Sequence, residues 1–340
     1  MEDRVRTGTA GSGAGVAGKQ RSCKLTRNLI ISSTSLAKTR QESMDKFLGH
    51  VTHLHLQAKK LRIIENLDIC VALKVLYLYD NNIAEIENLD FAKNLSYLYL
   101  ENNVISTLPN ITNTKLKKLY LDENEINVIK GLEDLTKLEV LSVSRQRIPR
   151  NEFLKFEQGS LAAISRTLEV LDISGNNLSI LQPFTRLYNL RKLFCADNKI
   201  DNLAEIESVV CLPELIEVNF KRNPVCTLRK YRDYVIGAAS DTLREFDDTA
   251  VTLKNIEAVK GIQRLRKRVG LNDRSDSMVS STVESQQFPS ATSHNQYDEE
   301  HMFESKQQSG DDFQYGEEEG GSQVSADEIE GQGDFEIAQF

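Results

Sequence analysis

The sequence predicts an α/β solenoid, and three observations predict it. Apolar residues recur at positions 1, 4, 6, 11, 14 and 17 of a unit of about 22 residues, starting at Val51, Leu73, Leu95, Leu116, Leu138, Leu168, Leu190 and Leu215. Position 9 is Asn in six of these eight units (Asn81, Asn103, Asn124, Asn176, Asn198, Asn223), with Lys59 and Gln146 in the others. Positions 4 and 6 alternate with polar neighbours as in a short strand buried on one face, whereas 11, 14 and 17 step by three like a tight helical turn.

Each element follows from that spacing. One unit cannot bury its own leucines, so units must stack, and stacking lines their strands up as one parallel sheet. The Asn offers a carbonyl and two N–H donors, enough to satisfy backbone groups where the chain leaves the strand inside the stack. This is the pattern of the leucine-rich repeat: a right-handed horseshoe of eight short repeats with a concave parallel sheet. Two units run long, from Leu138 to Leu168 and from Leu190 to Leu215. The extra residues of the first, Pro149 to Arg166, are expected to form a longer helix on the convex side.

The ends need covers. Thr39 to Leu48 carries Met44, Phe47 and Leu48 among polar residues, which predicts a capping helix within residues 39–50. Repeats and a C-terminal cap then occupy residues 51–250. Leu253, Ile256, Val259, Ile262 and Leu265 mark one face of a basic amphipathic helix over residues 251–270, with Arg264, Arg266, Lys267 and Arg268 near its C-terminus, where cations suit the helix dipole. Residues 1–38 are expected to be a flexible N-terminal segment. Residues 271–340 hold 17 acidic side chains against Arg274 and Lys306, so a disordered acidic tail is expected there.

Composition narrows the function. The 340 residues carry 42 Lys+Arg against 50 Asp+Glu, a formal net charge of −8, and the acid is concentrated in the tail. No apolar run approaches the roughly 20 residues that cross a bilayer, and residues 1–18 lack the apolar stretch of a signal peptide, so a cytoplasmic protein without a membrane role is expected. Cys23, Cys70, Cys195, Cys211 and Cys226 form no CxxC pair and read as free thiols. His53 and His55 share a strand face but have no further ligand at suitable spacing. No GxxxxGK[ST], GxSxG or HExxH string occurs. Neither an enzyme, nor a cofactor, nor a metal site is expected, and the short basic cluster opposed by an acidic tail argues against nucleic acid.

What the pattern displays is a surface. Position 5 reads His55, Tyr77, Tyr99, Tyr120, Ser142, Asp172, Phe194, Asn219. Strands about 4.8 Å apart would turn Tyr77, Tyr99 and Tyr120 into an exposed aromatic ladder, widened by Tyr79 and Tyr97. Asp80, Glu101, Asp122 and Glu123 form an acidic margin, while Arg145, Lys192, Lys221 and Arg222 lie towards the other end. Exposed tyrosines in a row are what protein interfaces use as anchors.

Val75-Leu76-Tyr77-Leu78-Tyr79-Asp80, Asn94 to Asn103, the irregular Arg145-Gln146-Arg147-Ile148-Pro149 and the cap residues Asn223 to Cys226 with Tyr231 to Asp233 together resemble the short leucine-rich-repeat regulatory subunits of protein phosphatase 1. The resemblance covers about Leu25 to Arg268. It implies a non-catalytic subunit that binds the phosphatase catalytic chain through aromatic and acidic concave residues, here Tyr77, Tyr99, Glu101, Tyr120, Asp122 and Phe194. It further implies links to the cytoskeleton and centrosome, with tubulin, actin, dynein and kinesin as candidate partners. The competing expectation is a microtubule, motor or axonemal assembly adaptor that uses Arg264, Arg266, Lys267 and Arg268 against acidic surfaces without touching a phosphatase.

Overall fold

A computed structural model of the chain describes residues 23–34, 43–113 and 115–269; the side chains of Lys267 and Val269, together with the acidic tail, lie outside the described residues. The chain divides into two compact units, Met1–Arg274 and Ser275–Phe340, and all described residues belong to the first.

The period of the sequence is the period of the sheet. Strands β1 (His53–His55), β2 (Val75–Tyr77), β3 (Tyr97–Tyr99) and β4 (Lys118–Tyr120) come from the first four units, with β5 (Val128–Ile129) later in the fourth unit. They are followed by β6 (Val140–Ser142), β7 (Lys155–Phe156), β8 (Val170–Asp172), β9 (Lys192–Phe194) and β10 (Glu217–Asn219). Two short cap strands, β11 (Glu245–Phe246) and β12 (Thr249–Ala250), complete the set. Ten of these twelve form one sheet in the order β1-β2-β3-β4-β6-β8-β9-β10-β11-β12, while β5 and β7 pair separately. The large sheet is parallel until its last pair, where β12 turns back antiparallel to β11 and closes the edge.

Register follows position number. Leu54, Leu76, Leu98, Leu119, Leu141, Leu171, Leu193 and Val218 are strand partners in succession, and each is fully buried. Behind them the position-9 side chains form a second ladder. Asn81 Oδ1 accepts the N–H groups of Lys59 and Leu61, both at 3.0 Å, and its Nδ2 donates to Leu56 and Leu78 carbonyls. Asn103, Asn124, Asn198 and Asn223 repeat this bonding between neighbouring coils. Gln146 does the same with a longer side chain, Oε1 accepting from Ile126 and Nε2 donating to Leu121. Each coil is thus tied to the next through buried amides that would otherwise leave backbone groups unpaired.

A feature only half marked by the residue types, four of the eight being Asp, Asn or Gly, sits just before that ladder. Position 8 is left-handed in all eight units: Ala58, Asp80, Asn102, Glu123, Arg145, Gly175, Asp197 and Arg222 have φ between 50° and 70°. The turn swings the chain out of the strand so that the amide at position 9 enters the core.

The start of the chain departs from expectation. Residues 23–34, part of the segment expected to be flexible, form a folded N-terminal coil with helix α1 (Arg27–Ser32), capped by Thr26 Oγ1, which accepts from Leu29 N at 3.3 Å. Leu25 and Ile30 are buried against the first repeat, Asn66 Nδ2 donates to Leu25 O at 2.7 Å, and His55 N donates to Ser33 O at 2.8 Å. The physical reason is the open end of the stack: Leu61 and Ile64 of the first repeat need cover, and Leu25 and Ile30 supply it. Helix α2 (Met44–Gly49), capped by Ser43, adds Phe47 and Leu48.

The long fifth unit also differs from a simple longer helix. Its extra residues first run extended as β7, and only Gln158–Ile164 forms a helix, α3. Ser160, fully buried in that helix, donates to Glu133 Oε1 at 2.6 Å and accepts from Leu132 N, fastening the insertion to the preceding unit. Phe156 and Phe184 meet edge to face at 5.1 Å beside a cavity of about 210 Å³ that Phe153, Leu178 and Ile180 also line.

The C-terminal cap packs α4 (Leu203–Val210), α5 (Tyr231–Ala238) and α6 (Leu253–Val269) in sequence. In α6 the expected apolar face is only half used. Ile256 is buried and Val259 packs on the core, whereas Leu253, Ile262 and Leu265 are exposed, because the helix runs on past the end of the repeats.

Candidate functional site

The concave face is the row of side chains at positions 3, 5 and 7, which share one side of every strand. At position 5 the register pairs His55, Tyr77, Tyr99 and Tyr120 in succession. Their rings stack face to face, with centroids 4.7, 4.7 and 4.8 Å apart and interplanar angles of 10°, 22° and 6°. The spacing is that of the strands themselves, so the backbone sets the stack and the rings contribute about 0.5–1.5 kcal/mol per pair beyond their burial. All four residues are half-buried.

Tyr79, at position 7, meets Tyr77 edge-on at 6.5 Å and 89°. Tyr97, at position 3, lies on the other flank, its ring covered by Lys118 Nζ at 5.4 Å. Phe194 does not join the ladder. It occupies position 5, but Ser142 and Asp172 lie between it and Tyr120, so two strands separate it from the stack.

Glu101 and Asp122 continue the position-7 row after Tyr79, and the backbone holds them in line: Asp80 N donates to Glu101 O at 3.0 Å and Asn102 N to Asp122 O at 2.9 Å. Asp122 Oδ1 accepts from Ser142 Oγ at 2.7 Å and Ser144 N at 2.6 Å. Asp80 Oδ1 accepts from Asn102 Nδ2 at 2.8 Å. Glu101 is different, because its Oε2 is buried and has no hydrogen-bond partner. Burial, with a smaller push from the charges of Asp122 and Asp80, raises its pKa to about 8. Burial also moves the Tyr77, Tyr99 and Tyr120 hydroxyls upward, so all three are neutral phenols at physiological pH. Burial likewise raises Asp172, further along the position-5 row, despite its bond from Ser174 N.

The cations at the other end of the face are already matched. Lys192 pairs with Glu217 at 2.7 Å, Arg145 with Glu123 at 3.5 Å, Lys221 with Asp248, and Arg222 with Asp197. Glu123 therefore belongs to a pair and not to a free acidic margin. None of the ion pairs among the described residues involves Asp80, Glu101 or Asp122. No group of three His, Cys, Asp or Glu able to hold a metal occurs among the described residues, and none of their helices is long and apolar enough to cross a membrane. The basic side chains Arg264, Arg266 and Arg268 are exposed on α6. Two contributors were passed over in the sequence, His55 and Gln57; both were legible there as the first-unit occupants of positions 5 and 7.

With the sheet, the asparagine ladder and the stacked face in view, comparison with known proteins agrees on the class. The family model described as Leucine Rich repeats (2 copies) matches residues 71–113 and 166–208. The fold is that of the leucine-rich repeat. It is 30% identical over 112 residues to the human Geranylgeranyl transferase type-2 subunit alpha, a stretch covering 33% of this chain and 18% of that one. It is 34% identical over 88 residues to the human Cilia- and flagella-associated protein 410, covering 25% of this chain and 34% of that protein. The chain thus matches about a fifth to a third of the length of these curated relatives. Among solved structures, an internalin from Listeria monocytogenes superposes with a TM-score of 0.49 at 20% identity, covering 65% of this chain and 67% of that one. A leucine-rich-repeat protein of Leptospira interrogans gives 0.46 at 24% identity, over 64% and 53%.

Proposed function

We propose that this protein is a non-catalytic scaffold that docks the catalytic subunit of protein phosphatase 1 on its concave face and acts in the cytoplasm, at the cytoskeleton and centrosome. One observation carries the reading: four half-buried aromatic rings in continuous stack along one face of the sheet. Rigid aromatic rows supply large contact area at low rotamer cost, which suits a protein partner better than a small molecule. The irregular unit from Arg145 to Pro149 and the cap from Asn223 to Asp233 add a finer resemblance, to protein phosphatase 1 regulatory subunit 42. The test is capture of the phosphatase catalytic chain by the protein and by the double variant Tyr99→Ala, Tyr120→Ala. Loss of capture with a stability cost of only about 1–3 kcal/mol supports the reading; undiminished capture removes it for this face.

A second reading has its own support. The similarity to Cilia- and flagella-associated protein 410 and the exposed Arg264, Arg266 and Arg268 favour a microtubule, motor or axonemal adaptor. Co-sedimentation with microtubules that survives the tyrosine variant and is lost on neutralising those arginines would select it.

A further inference from the structure

The charge inventory of the concave face is lopsided in a way that names the chemistry of its occupant. Towards the C-terminal end, Arg145, Lys192, Lys221 and Arg222 are each held by a carboxylate of a neighbouring coil. Beside the ring stack, Asp80, Glu101 and Asp122 take part in none of the ion pairs among the described residues. The carboxylates of the face that lie outside these ion pairs thus gather beside the tyrosines, where Lys118 lies over Tyr97, with Asp172 two strands further along.

Two further observations point the same way. Gln57 Oε1 and Glu101 Oε2, both on the position-7 row and on either side of Tyr79, are buried acceptors without a donor. Acceptors left unsatisfied in this way cost about 1–3 kcal/mol each, a cost an incoming donor would relieve. A cation already lies on this part of the face, Lys118 Nζ over the Tyr97 ring at 5.4 Å, whereas both faces of Tyr77 and Tyr99 are covered by their neighbours in the stack. A metal ion does not fit this set, since no three ligating side chains converge among the described residues. A guanidinium does: it is planar, carries five donors and no acceptor, and pairs with a carboxylate.

We propose that the face along the Tyr79–Glu101–Asp122 row, beside the Tyr77–Tyr99–Tyr120 stack, takes an arginine side chain from a basic segment of a protein partner, with the ring edges as its border and Glu101, which gives up its proton as the arginine enters, as its counter-charge. Positions 5 and 7 lie about 7 Å apart along a strand, so an arginine held by Glu101 also meets the edges of the stacked rings. The inference rests on the concave face being the docking platform, and it adds what the partner must bring there.

The probe is tetra-arginine amide, titrated into the full-length protein while the tyrosine ring signals are followed by NMR. The expected result is one saturable site at which the Tyr99 and Tyr120 rings shift, weakened about fivefold or more by Glu101→Gln. The control pair Glu85→Gln, Glu87→Gln, which removes two exposed carboxylates from outside the strands, should leave affinity within about twofold. Equal weakening by the control, or binding without ring shifts, overturns the proposal by showing attraction to net charge alone. Capture of the phosphatase catalytic chain separates the two readings: if Glu101→Gln captures it as well as the wild type while Tyr99→Ala, Tyr120→Ala does not, the platform stands and the arginine site falls.

Discussion

The side-chain oxygen of Asn198 accepts the backbone N–H of Asn176 at 3.0 Å, so consecutive amides of the position-9 ladder are joined head to tail across two coils. The same Oδ1 accepts from Leu178 N at 2.9 Å, and its Nδ2 donates to the carbonyls of Ile173 and Cys195. Replacement by Ala strips the buried Asn176 and Leu178 N–H groups of their acceptor and takes one of two amide donors from each of the Ile173 and Cys195 carbonyls. With partial relaxation, Asn198→Ala should cost about 3–5 kcal/mol, read as a lower midpoint in urea denaturation. Asn198→Gln should cost less, because Gln146 fills the equivalent place in its own coil.

The left-handed position 8 makes a second, opposite-signed pair of expectations. Ala58 adopts φ 56° with an exposed side chain, so Ala58→Gly relieves the Cβ clash of that region and should stabilise by up to about 1 kcal/mol after the extra chain entropy of Gly. Gly175→Ala does the reverse. Its new Cβ would stand 3.1 Å from Arg145 Cγ at φ +70°, a loss of about 1–2 kcal/mol. Gly131→Ala should be worse than either, since its Cβ would lie 2.4 Å from the Pro109 carbonyl oxygen. Thermal melts of the three variants give the order.

These residues also mark the limits of what the sequence discloses. Leucine spacing and asparagine at position 9 were legible because stacking leaves no alternative partner for them, and strand register followed, so Tyr77, Tyr99 and Tyr120 could be placed side by side in advance. The turn at position 8 was only half legible: Ala58, Glu123 and Arg145 share no chemistry, and the conformation is imposed by the strand before and the buried amide after. Residues 23–34 were missed because their coil has the buried Leu25 and Ile30 but neither the full apolar pattern nor the asparagine. The pairing of Glu123 with Arg145 escaped because it links adjacent rim residues, whose side-chain directions the strand alternation does not set.

Glu101 gives the last expectation, and its sign is the reverse of an ordinary surface carboxylate. Unfolded, the group titrates near its usual 4.5; folded, burial and the neighbouring Asp122 and Asp80 lift it to about 8. Between those values the native protein holds a proton that the unfolded chain has released, so this group makes stability fall as pH rises from about 5 to 8, with little further change above. Asp122 and Asp80 are the charges that act on it, and Tyr99 and Tyr120 are close enough for its own charge to act on them. Glu101→Gln keeps the shape and removes the titration. The stability difference between the variant and the wild type should therefore be small near pH 5 and grow in the variant's favour by roughly 1–4 kcal/mol at pH 8.5, measured by urea denaturation across the range. A difference that stays flat with pH would mean that Glu101 is ionised and solvated in the folded protein, and the carboxyl would then have no need of a cation from outside.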